Sequence, residues 1–150
     1  MGSKKSFIKH HKVRGEWVEA RFLACAAERG FNVTKPWGES SRYDFVLDHN
    51  GQFLRVQVKS TMCPRGEAYM CSLHNSAKRC YYRGKDIDFF AVYLVPEDIW
   101  YIIPVRVCAR LLLLWPRCTG RKHKYDCYRE AWDLLRVWKP KTRAAASSET

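Results

Sequence analysis

The fold is decided by residues 42–60, which read RYDFVLDHNGQFLRVQVKS. Apolar and polar residues alternate on both sides of Asn50-Gly51, and this dipeptide is typical of a two-residue turn between antiparallel strands. We therefore predict a β-hairpin with strands over 42–48 and 52–60. A two-residue turn sets His49 opposite Gln52, so that residue i of the first strand faces residue 101 minus i of the second.

This register sorts the hairpin side chains onto two faces, because side chains alternate along a strand. One face is apolar and is predicted to be the core side: Tyr43, Phe45, Leu47, Leu54, Val56 and Val58. The other carries Asp44, Val46, Asp48, Phe53, Arg55, Gln57 and Lys59. Opposed residues lie about 5 Å apart at Cβ, so Asp44 and Gln57 converge, with Lys59 on the adjacent diagonal.

A carboxylate, an amide oxygen and an ammonium on one strip of sheet could hold a hard cation such as Mg²⁺ with its waters. The preceding helix, predicted over 15–29, adds Glu19, which is in line with Leu23 and Ala26 on the stripe expected to face the sheet. A buried carboxylate needs a metal or a basic partner. The alternative is structural: Asp44, Arg55 and Lys59 form a surface ion-pair ladder, and Glu19 is an acid at the helix edge.

The rest of the chain extends the hairpin into a sheet. Further strands are predicted over 31–36, 68–73, 87–95 and 99–103, a loop over 75–85, helices over 105–115 and 125–138, and a disordered polar tail over 139–150. A helix, a run of antiparallel strands and then helices is an α+β pattern. We expect a single domain over residues 1–138.

The composition agrees with a packed domain. The chain has 150 residues, of which 47% are hydrophobic, and this combination excludes disordered and fibrous classes. Its longest apolar stretches fall far short of the roughly 20 residues of a membrane span. The first twelve residues are rich in charge and carry no apolar secretory signal, so we expect a cytoplasmic protein without membrane association.

The charge is strongly basic, with 27 Lys and Arg against 15 Asp and Glu, a net +12. Residues 61–100 contain five of each sign, so the excess lies at both ends of the chain. Such an excess favours polyanionic partners, nucleic acid above all, although a solvated basic surface would have the same composition.

Seven cysteines without any CxxC spacing argue against a disulfide framework. Two loose groups could bind zinc: Cys63, Cys71, His74 and Cys80, or Cys118, His123 and Cys127. Neither supplies the two short ligand pairs of a familiar zinc module. Small buried hydrophobic side chains are the simpler interpretation.

The order Glu19, Tyr43-Asp44, Gln57-Val58-Lys59 resembles the PD-(D/E)XK nuclease superfamily. The text from GEWVEARFLACAAERGFNVTKPWGESSRYDFVL to the late YREAWDLL looks like its small bacterial branch related to group I intron homing endonucleases, and is similar in layout to archaeal Holliday junction resolvases. The likeness spans residues 13–138. It implies a restriction-endonuclease-like core with α/β/α layers, in which helices flank a mixed, mainly antiparallel sheet.

The resemblance also implies a site. Asp44 matches the metal-binding aspartate, Lys59 the catalytic lysine and Glu19 the helix glutamate. The cation, Mg²⁺ or Mn²⁺ as a substitute, would be held by Asp44, the Gln57 carbonyl oxygen, the Val58 backbone carbonyl and, directly or through water, Glu19. The implied activity is metal-dependent hydrolysis of DNA phosphodiester bonds, homing-endonuclease-like or resolvase-like, with no small-molecule cofactor.

Two positions depart from the family pattern. Tyr43 replaces the proline before the aspartate, and the neutral Gln57 replaces the second acidic residue. A neutral ligand removes one negative charge from the metal site and should weaken metal affinity. The alternative function is therefore a catalytically inactive DNA-binding module of the same fold.

DNA is the implied partner, and the resemblance also implies self-association as a homodimer or homotetramer. Candidate backbone contacts are Arg14, Arg42, Arg55, Arg117, Arg121, Lys122 and Lys124. Arg55 is included because the residue opposite it in the hairpin is the apolar Val46, which cannot neutralise it. Exposed aromatic residues such as Trp37 could stack on bases, although core or interface roles are more usual.

Overall fold

A computed structural model describes residues 8–75, 80–117 and 120–139 of the chain. In chain order its elements are helix α1 (His11–Glu28), strands β1 (Asn32–Thr34), β2 (Phe45–His49), β3 (Gln52–Thr61), β4 (Pro64–Arg65), β5 (Ala68–Ser72), β6 (His74–Asn75), β7 (Cys80–Tyr81), β8 (Phe89–Leu94), β9 (Ile99–Pro104) and β10 (Leu111–Leu114), and the short helix α2 (Leu134–Val137). Single 3-10 turns lie at Val95–Glu97, Val105–Val107 and Asp126–Tyr128.

The central sheet has five strands in the order β1-β2-β3-β8-β9. Only β3 and β8 run parallel, and the other neighbours are antiparallel. In the hairpin β2-β3, Phe45 pairs with Val56 and His49 with Gln52, which confirms the predicted register. Asn50 and Gly51 both have positive φ, at 53° and 78°, as a tight turn of this kind requires. The α+β class with a mixed, mainly antiparallel sheet is confirmed.

Helix α1 covers one face of this sheet. Its buried stripe is Val18, Phe22 and Ala26, and these residues pack on inward-facing residues of β2, β3, β8 and β9. Trp132 and Leu135, from the C-terminal segment, complete this apolar cluster. The clustered rings of Phe22, Trp100 and Trp132 lie with centroids 5.7 to 5.8 Å apart.

A second, three-stranded sheet covers the opposite face. Its strands have the order β10-β5-β4, and all its pairs are antiparallel. Leu112 and Leu114 of β10 and Cys71 of β5 are buried against β8 and β9 residues such as Phe90 and Tyr101. This layer is therefore a small sheet, whereas the resemblance implied helices on both faces.

The predicted helix over 105–115 is wrong. Leu112 and Leu114 are buried while Leu111 and Leu113 are exposed, which is the two-residue period of a strand. A run of four identical leucines carries no periodicity of its own, so the sequence could not distinguish a strand from a helix here.

The predicted helix over 125–138 is reduced to Leu134–Val137. Glu130 prevents the helix from beginning earlier, because its φ is +48°. Its backbone N–H donates to the Trp100 carbonyl at 2.7 Å, and its carboxylate accepts from the Trp100 N–H at 2.7 Å. These bonds attach the segment to β9, and that tertiary pairing overrides the local helix propensity.

The other elements lie largely where the sequence predicts them. Helix 15–29 is confirmed but begins earlier, at His11, and the strands over 31–36, 68–73, 87–95 and 99–103 are confirmed. The loop over 75–85 is interrupted by the pair β6-β7. The tail lies outside the described residues beyond residue 139. No helix in the described part of the chain is both long and apolar enough to cross a membrane.

Candidate active site

Asp44 lies at the start of β2, where the hairpin register sets it opposite Gln57. Its backbone N–H donates to the Val56 carbonyl at 2.9 Å, which continues the ladder by one residue. Its Oδ2 accepts from the Val58 backbone N–H and from Gln57 Nε2, both at 2.7 Å. Oδ1 accepts from no residue that the structure describes. Asp44 and Gln57, which the register predicted to converge, are thus in direct contact.

Burial raises the pKa of Asp44 to about 6, from an ordinary value of 3.8. The Val58 N–H opposes this increase, the charge of Glu19 adds to it, and the charges of Lys59 and Lys35 oppose it. A half-buried carboxyl with its pKa raised this far is held in a place that disfavours its own negative charge. Such perturbed groups cluster at functional sites, and a bound cation would relieve the cost.

Glu19 reaches the same place from helix α1, but from a different helical face than predicted. The buried stripe is Val18, Phe22 and Ala26, whereas Leu23, predicted to share a stripe with Glu19, is 44% exposed. Glu19 therefore lies beside the packed stripe, at the rim of the sheet. Its Oε2 is 2.7 Å from Lys35 Nζ, which supplies the basic partner that the sequence required.

Lys35 was missed by the sequence reasoning. It follows β1, which pairs antiparallel with β2 so that Thr34 faces Val46. One further step along this ladder brings Lys35 alongside Phe45 and so next to Asp44, and its Nζ lies 5.6 Å from the centroid of the Phe45 ring. The signal was available only once β1 was paired with β2, because no turn motif in the sequence sets the register of that pair.

Lys59 lies two residues beyond Gln57 on β3, on the same face of the strand. Its Nζ lies 5.5 Å from the centroid of the Tyr82 ring, and its charge acts on Asp44. Gln57 Nε2 also approaches the Val58 carbonyl at 3.5 Å. The predicted core face is confirmed except for Tyr43, which precedes β2 and packs against the cluster on the opposite face.

A cleft of about 390 Å³ opens beside these residues. Asp44, Glu19 and Lys35 line it, together with residues of the N-terminal half of α1 and of the segment between β1 and β2. Trp37, in that segment, is 98% exposed. The cleft opens both carboxylates to solvent.

The donor set fits a hard cation. Asp44 and Glu19 offer carboxylate oxygens, and the Gln57 amide and the Val58 carbonyl offer neutral ones, all of them types that Mg²⁺ accepts. No group of three or more His, Cys, Asp or Glu side chains that could hold a metal occurs within the described residues. The site is therefore poorer in acids than a full carboxylate set, as Gln57 implied.

The predicted DNA contacts differ in how far they are already paired. Arg55 is engaged: it forms an ion pair with Asp88 at 3.0 Å and donates to the Gly84 and Lys85 carbonyls at 3.0 and 2.6 Å. Val46 does lie opposite Arg55 in the hairpin, as predicted, but the hairpin register describes only one neighbour of β3, and an acid that pairs with Arg55 comes from the other side, just before β8.

Of the other basic residues predicted to contact DNA, some form ion pairs with acidic residues and others are exposed to solvent. Arg42 pairs with Asp86 at 3.1 Å, and the highly exposed Arg117 pairs with Glu97 at 3.6 Å. Arg14 contacts the His11 ring at 3.0 Å. Arg121, Lys122 and Lys124 are exposed side chains of one loop, and Lys124 lies over Tyr125.

The two cysteine groups considered for zinc are only partly described. Cys118 and the side chain of Cys80 lie outside the described residues. Cys71 is buried, and burial raises the pKa of its thiol to about 12, which disfavours the thiolate that zinc needs. Cys63 and Cys127 are exposed.

Comparisons with known proteins find similar endonucleases. A family model described as PD-(D/E)XK endonuclease matches residues 9–112. A solved bacterial homing endonuclease, I-Ssp6803I, is 29% identical, with a TM-score of 0.75 over 84% of this chain and 93% of that chain. The Holliday junction resolvase Hjc of Archaeoglobus fulgidus is 18% identical, with a TM-score of 0.47 over 67% of this chain and 83% of its own. No curated protein matches.

The family match covers more than half of the chain and includes the helix glutamate, the strand aspartate and the QxK lysine. The restriction-endonuclease-like fold class is confirmed by the family match and by the similarity to the homing endonuclease structure. This chain belongs to the PD-(D/E)XK endonuclease family.

Proposed function

We propose that this protein is a metal-dependent DNA endonuclease whose catalytic residues are Glu19, Asp44, Gln57 and Lys59. The observation that carries the proposal is Asp44 itself, a carboxyl of raised pKa that faces a cleft and is bound by its hairpin neighbours. The 29% identity to a bacterial homing endonuclease supports a homing-like rather than a resolvase-like activity.

The ligands of the cation would be Asp44, Glu19, the Gln57 carbonyl oxygen and the Val58 backbone carbonyl. Mg²⁺, or Mn²⁺ as a substitute, would polarise the scissile phosphate and lower the pKa of the attacking water. Gln57 now donates its amide N–H to Asp44. To offer its oxygen it must turn the amide over, a rotation that its terminal torsion permits.

The other residues act through position and charge. The Val58 N–H holds one oxygen of Asp44 and so orients the carboxylate. Lys59, whose side chain extends from the same face as Gln57, would orient the water and stabilise the charge that develops on the phosphate. Arg14, Arg121, Lys122 and Lys124 are the proposed contacts to the DNA backbone, because they have no acidic partner within the described residues.

Arg42, Arg55 and Arg117 stay weaker candidates for DNA contact, because each is already ion-paired. Trp37, whose chain neighbours Pro36 and Gly38 line the cleft, is proposed to stack on a base, since its ring is exposed and packs on little of the protein. Self-association as a dimer or tetramer would bring two cleavage sites to a duplex.

A second function is favoured by one observation. The proposed cation ligands include only two carboxylates, Asp44 and Glu19, beside a neutral Gln57, and no group of three acidic, His or Cys side chains that could hold a metal occurs in the described part of the chain. With its metal affinity weakened in this way, the protein could bind DNA without cutting it.

A cleavage assay separates the two. Plasmid and branched DNA are incubated with wild type, Asp44→Ala and Lys59→Ala in Mg²⁺, Mn²⁺ or EDTA. We expect nicking that requires the metal and falls at least a hundredfold in both variants, since each removes a group acting on the transition state. Asp133→Ala, a change of an exposed aspartate on α2's N-terminal side, is the control.

Cutting in EDTA, or cutting retained by Asp44→Ala, would contradict the proposed site. Retained DNA binding at low salt with no cutting on any substrate would instead favour the inactive binding module.

A further inference from the structure

Lys35 occupies a position in the site for which the catalytic scheme above gives no role. Its Nζ lies 2.7 Å from Glu19 Oε2, and its charge acts on Asp44. A single ammonium thus stands beside both carboxylates that are proposed to bind the cation. In the metal-free protein it pairs with Glu19 and partly offsets the charge of Asp44.

The ion pair is easily exchanged. The Lys35 side chain is 61% exposed, against 27% for Glu19, so the lysine is the partner that water solvates more fully. Exposed pairs of this kind contribute little to stability, because water solvates the separated charges almost as well. A divalent cation has more charge and more ligands to offer Glu19 than an ammonium has.

The Lys35 side chain also has free space beside it in the cleft. Its backbone is fixed by the end of β1, and its side chain lines the cleft of about 390 Å³ that opens to solvent. Lysine is a point charge on a flexible stem of four carbons and contacts phosphate readily. Released from Glu19, it can reach an anion in the cleft without movement of the main chain.

We propose that Lys35 is a placeholder cation, which pairs with Glu19 and partly offsets the charge of Asp44 when the metal is absent and, once the metal displaces it, contacts a phosphate of the bound DNA. This inference rests on the proposed function, since it takes Glu19 and Asp44 as the metal ligands. Lys35 is on this account a positioning residue that is distinct from Lys59.

The first test measures metal binding without DNA. Mn²⁺ is titrated calorimetrically into the metal-free protein as wild type, Lys35→Met and Lys12→Met. We expect Lys35→Met to bind Mn²⁺ about three- to tenfold more tightly, because a competing positive charge at 2.7 Å from a ligand is gone. Lys12 lines the same cleft, so Lys12→Met reports the general effect of removing one charge.

The second test measures DNA affinity in the Lys59→Ala background, to limit cutting. Adding Lys35→Met should weaken duplex binding several-fold in Mn²⁺ and leave it nearly unchanged in EDTA, where Lys35 is held by Glu19. A loss of equal size in both conditions would overturn the exchange.

Other outcomes also decide the matter. Unchanged or weaker Mn²⁺ binding by Lys35→Met, or an equal gain in Lys12→Met, would overturn the placeholder. The proposed function fails separately: Asp44→Ala would then bind Mn²⁺ as tightly as wild type. Far-UV circular dichroism of each variant verifies that it is folded.

Discussion

At the scale of single residues, Asp44 shows a conflict between stability and function. Its pKa of about 6 exceeds the ordinary 3.8, so the folded protein binds the proton more tightly than the unfolded chain does. Between these two pH values, stability therefore falls as pH rises, and above about pH 6 the whole cost of the ionised carboxylate is present. A protein selected for stability alone would not keep an aspartate here.

We therefore predict that Asp44→Asn stabilises the metal-free protein. The amide keeps an acceptor for the Val58 N–H and removes the charge, so unfolding free energy at pH 8 should rise by about 1–3 kcal/mol. At pH 4 the aspartate is itself largely protonated in the fold, and the gain should nearly vanish. Urea unfolding in EDTA at both pH values measures this.

The control for that experiment is Asp133→Asn. Asp133 is paired with Arg136 at an exposed position, where a change of charge has little effect on stability. If Asp44→Asn lowered stability at pH 8, or if both variants gained equally, burial of the Asp44 charge would not be the cause.

The same titration predicts how the metal binds. A cation needs the ionised carboxylate, so protons compete with it wherever Asp44 is protonated. Mn²⁺ affinity should be constant above about pH 7 and fall as pH decreases through about 6. Calorimetric titrations from pH 5 to 8 test this. Equal affinity at pH 5 and pH 8 would contradict metal binding by Asp44.

At the scale of elements, Arg55 and Asp88 join the two central strands where β3 meets β8. The Arg55 backbone N–H donates to Asp88 Oδ2 at 2.8 Å, its guanidinium pairs with both carboxylate oxygens, and the Asp88 N–H returns a bond to the Arg55 carbonyl at 2.9 Å. The parallel ladder begins next to this point, with Val56 beside Phe89. The pair therefore fixes the register of a crossover that has no hairpin turn to set it.

Arg55→Met should accordingly destabilise the protein, by about 2 kcal/mol, since charge-assisted bonds to Asp88 and two carbonyls are lost. Chemical denaturation measures the loss. Arg121→Met, at an exposed site of the same charge, should change stability by less than about 0.5 kcal/mol. If Arg55→Met left the free energy of unfolding unchanged but weakened DNA binding, Arg55 would be a phosphate contact rather than a structural residue.

The elements that could be predicted from the sequence are those set by local chemistry. Asn50-Gly51 determines a turn, and the turn determines the register that brings Asp44 to Gln57. The predictions that failed depend on contacts distant in sequence. Leu111–Leu114 are a strand because β5 is beside them, and the helix predicted from 125 begins only at Leu134 because Trp100 binds Glu130. Lys35 enters the site through the pairing of β1 with β2 for the same reason.

At the scale of the whole molecule, one sheet separates two apolar clusters. Phe89, Ala91 and Tyr93 of β8 face the cluster under α1, while Phe90, Val92 and Leu94 face the cluster under the small sheet. Every residue of β8 is buried, so neither cluster can loosen without exposing this strand. The site lies at the edge of this rigid support, where α1 and the end of β1 reach Asp44.

The basic charge belongs to this scale as well, and its effect on DNA binding can be measured. A contact to phosphate releases about 0.9 of a counterion from B-DNA, which sets the slope of log affinity against log salt. If Arg121, Lys122 and Lys124 each contact one phosphate, replacing all three by alanine should reduce that slope by about three and leave the metal-dependent rate at saturating DNA unchanged. Fluorescence anisotropy of a labelled duplex between 50 and 300 mM NaCl measures the slope. Damage to the fold would lower affinity at every salt concentration with the slope intact, whereas an unchanged slope and unchanged affinity would mean that DNA lies elsewhere on the protein.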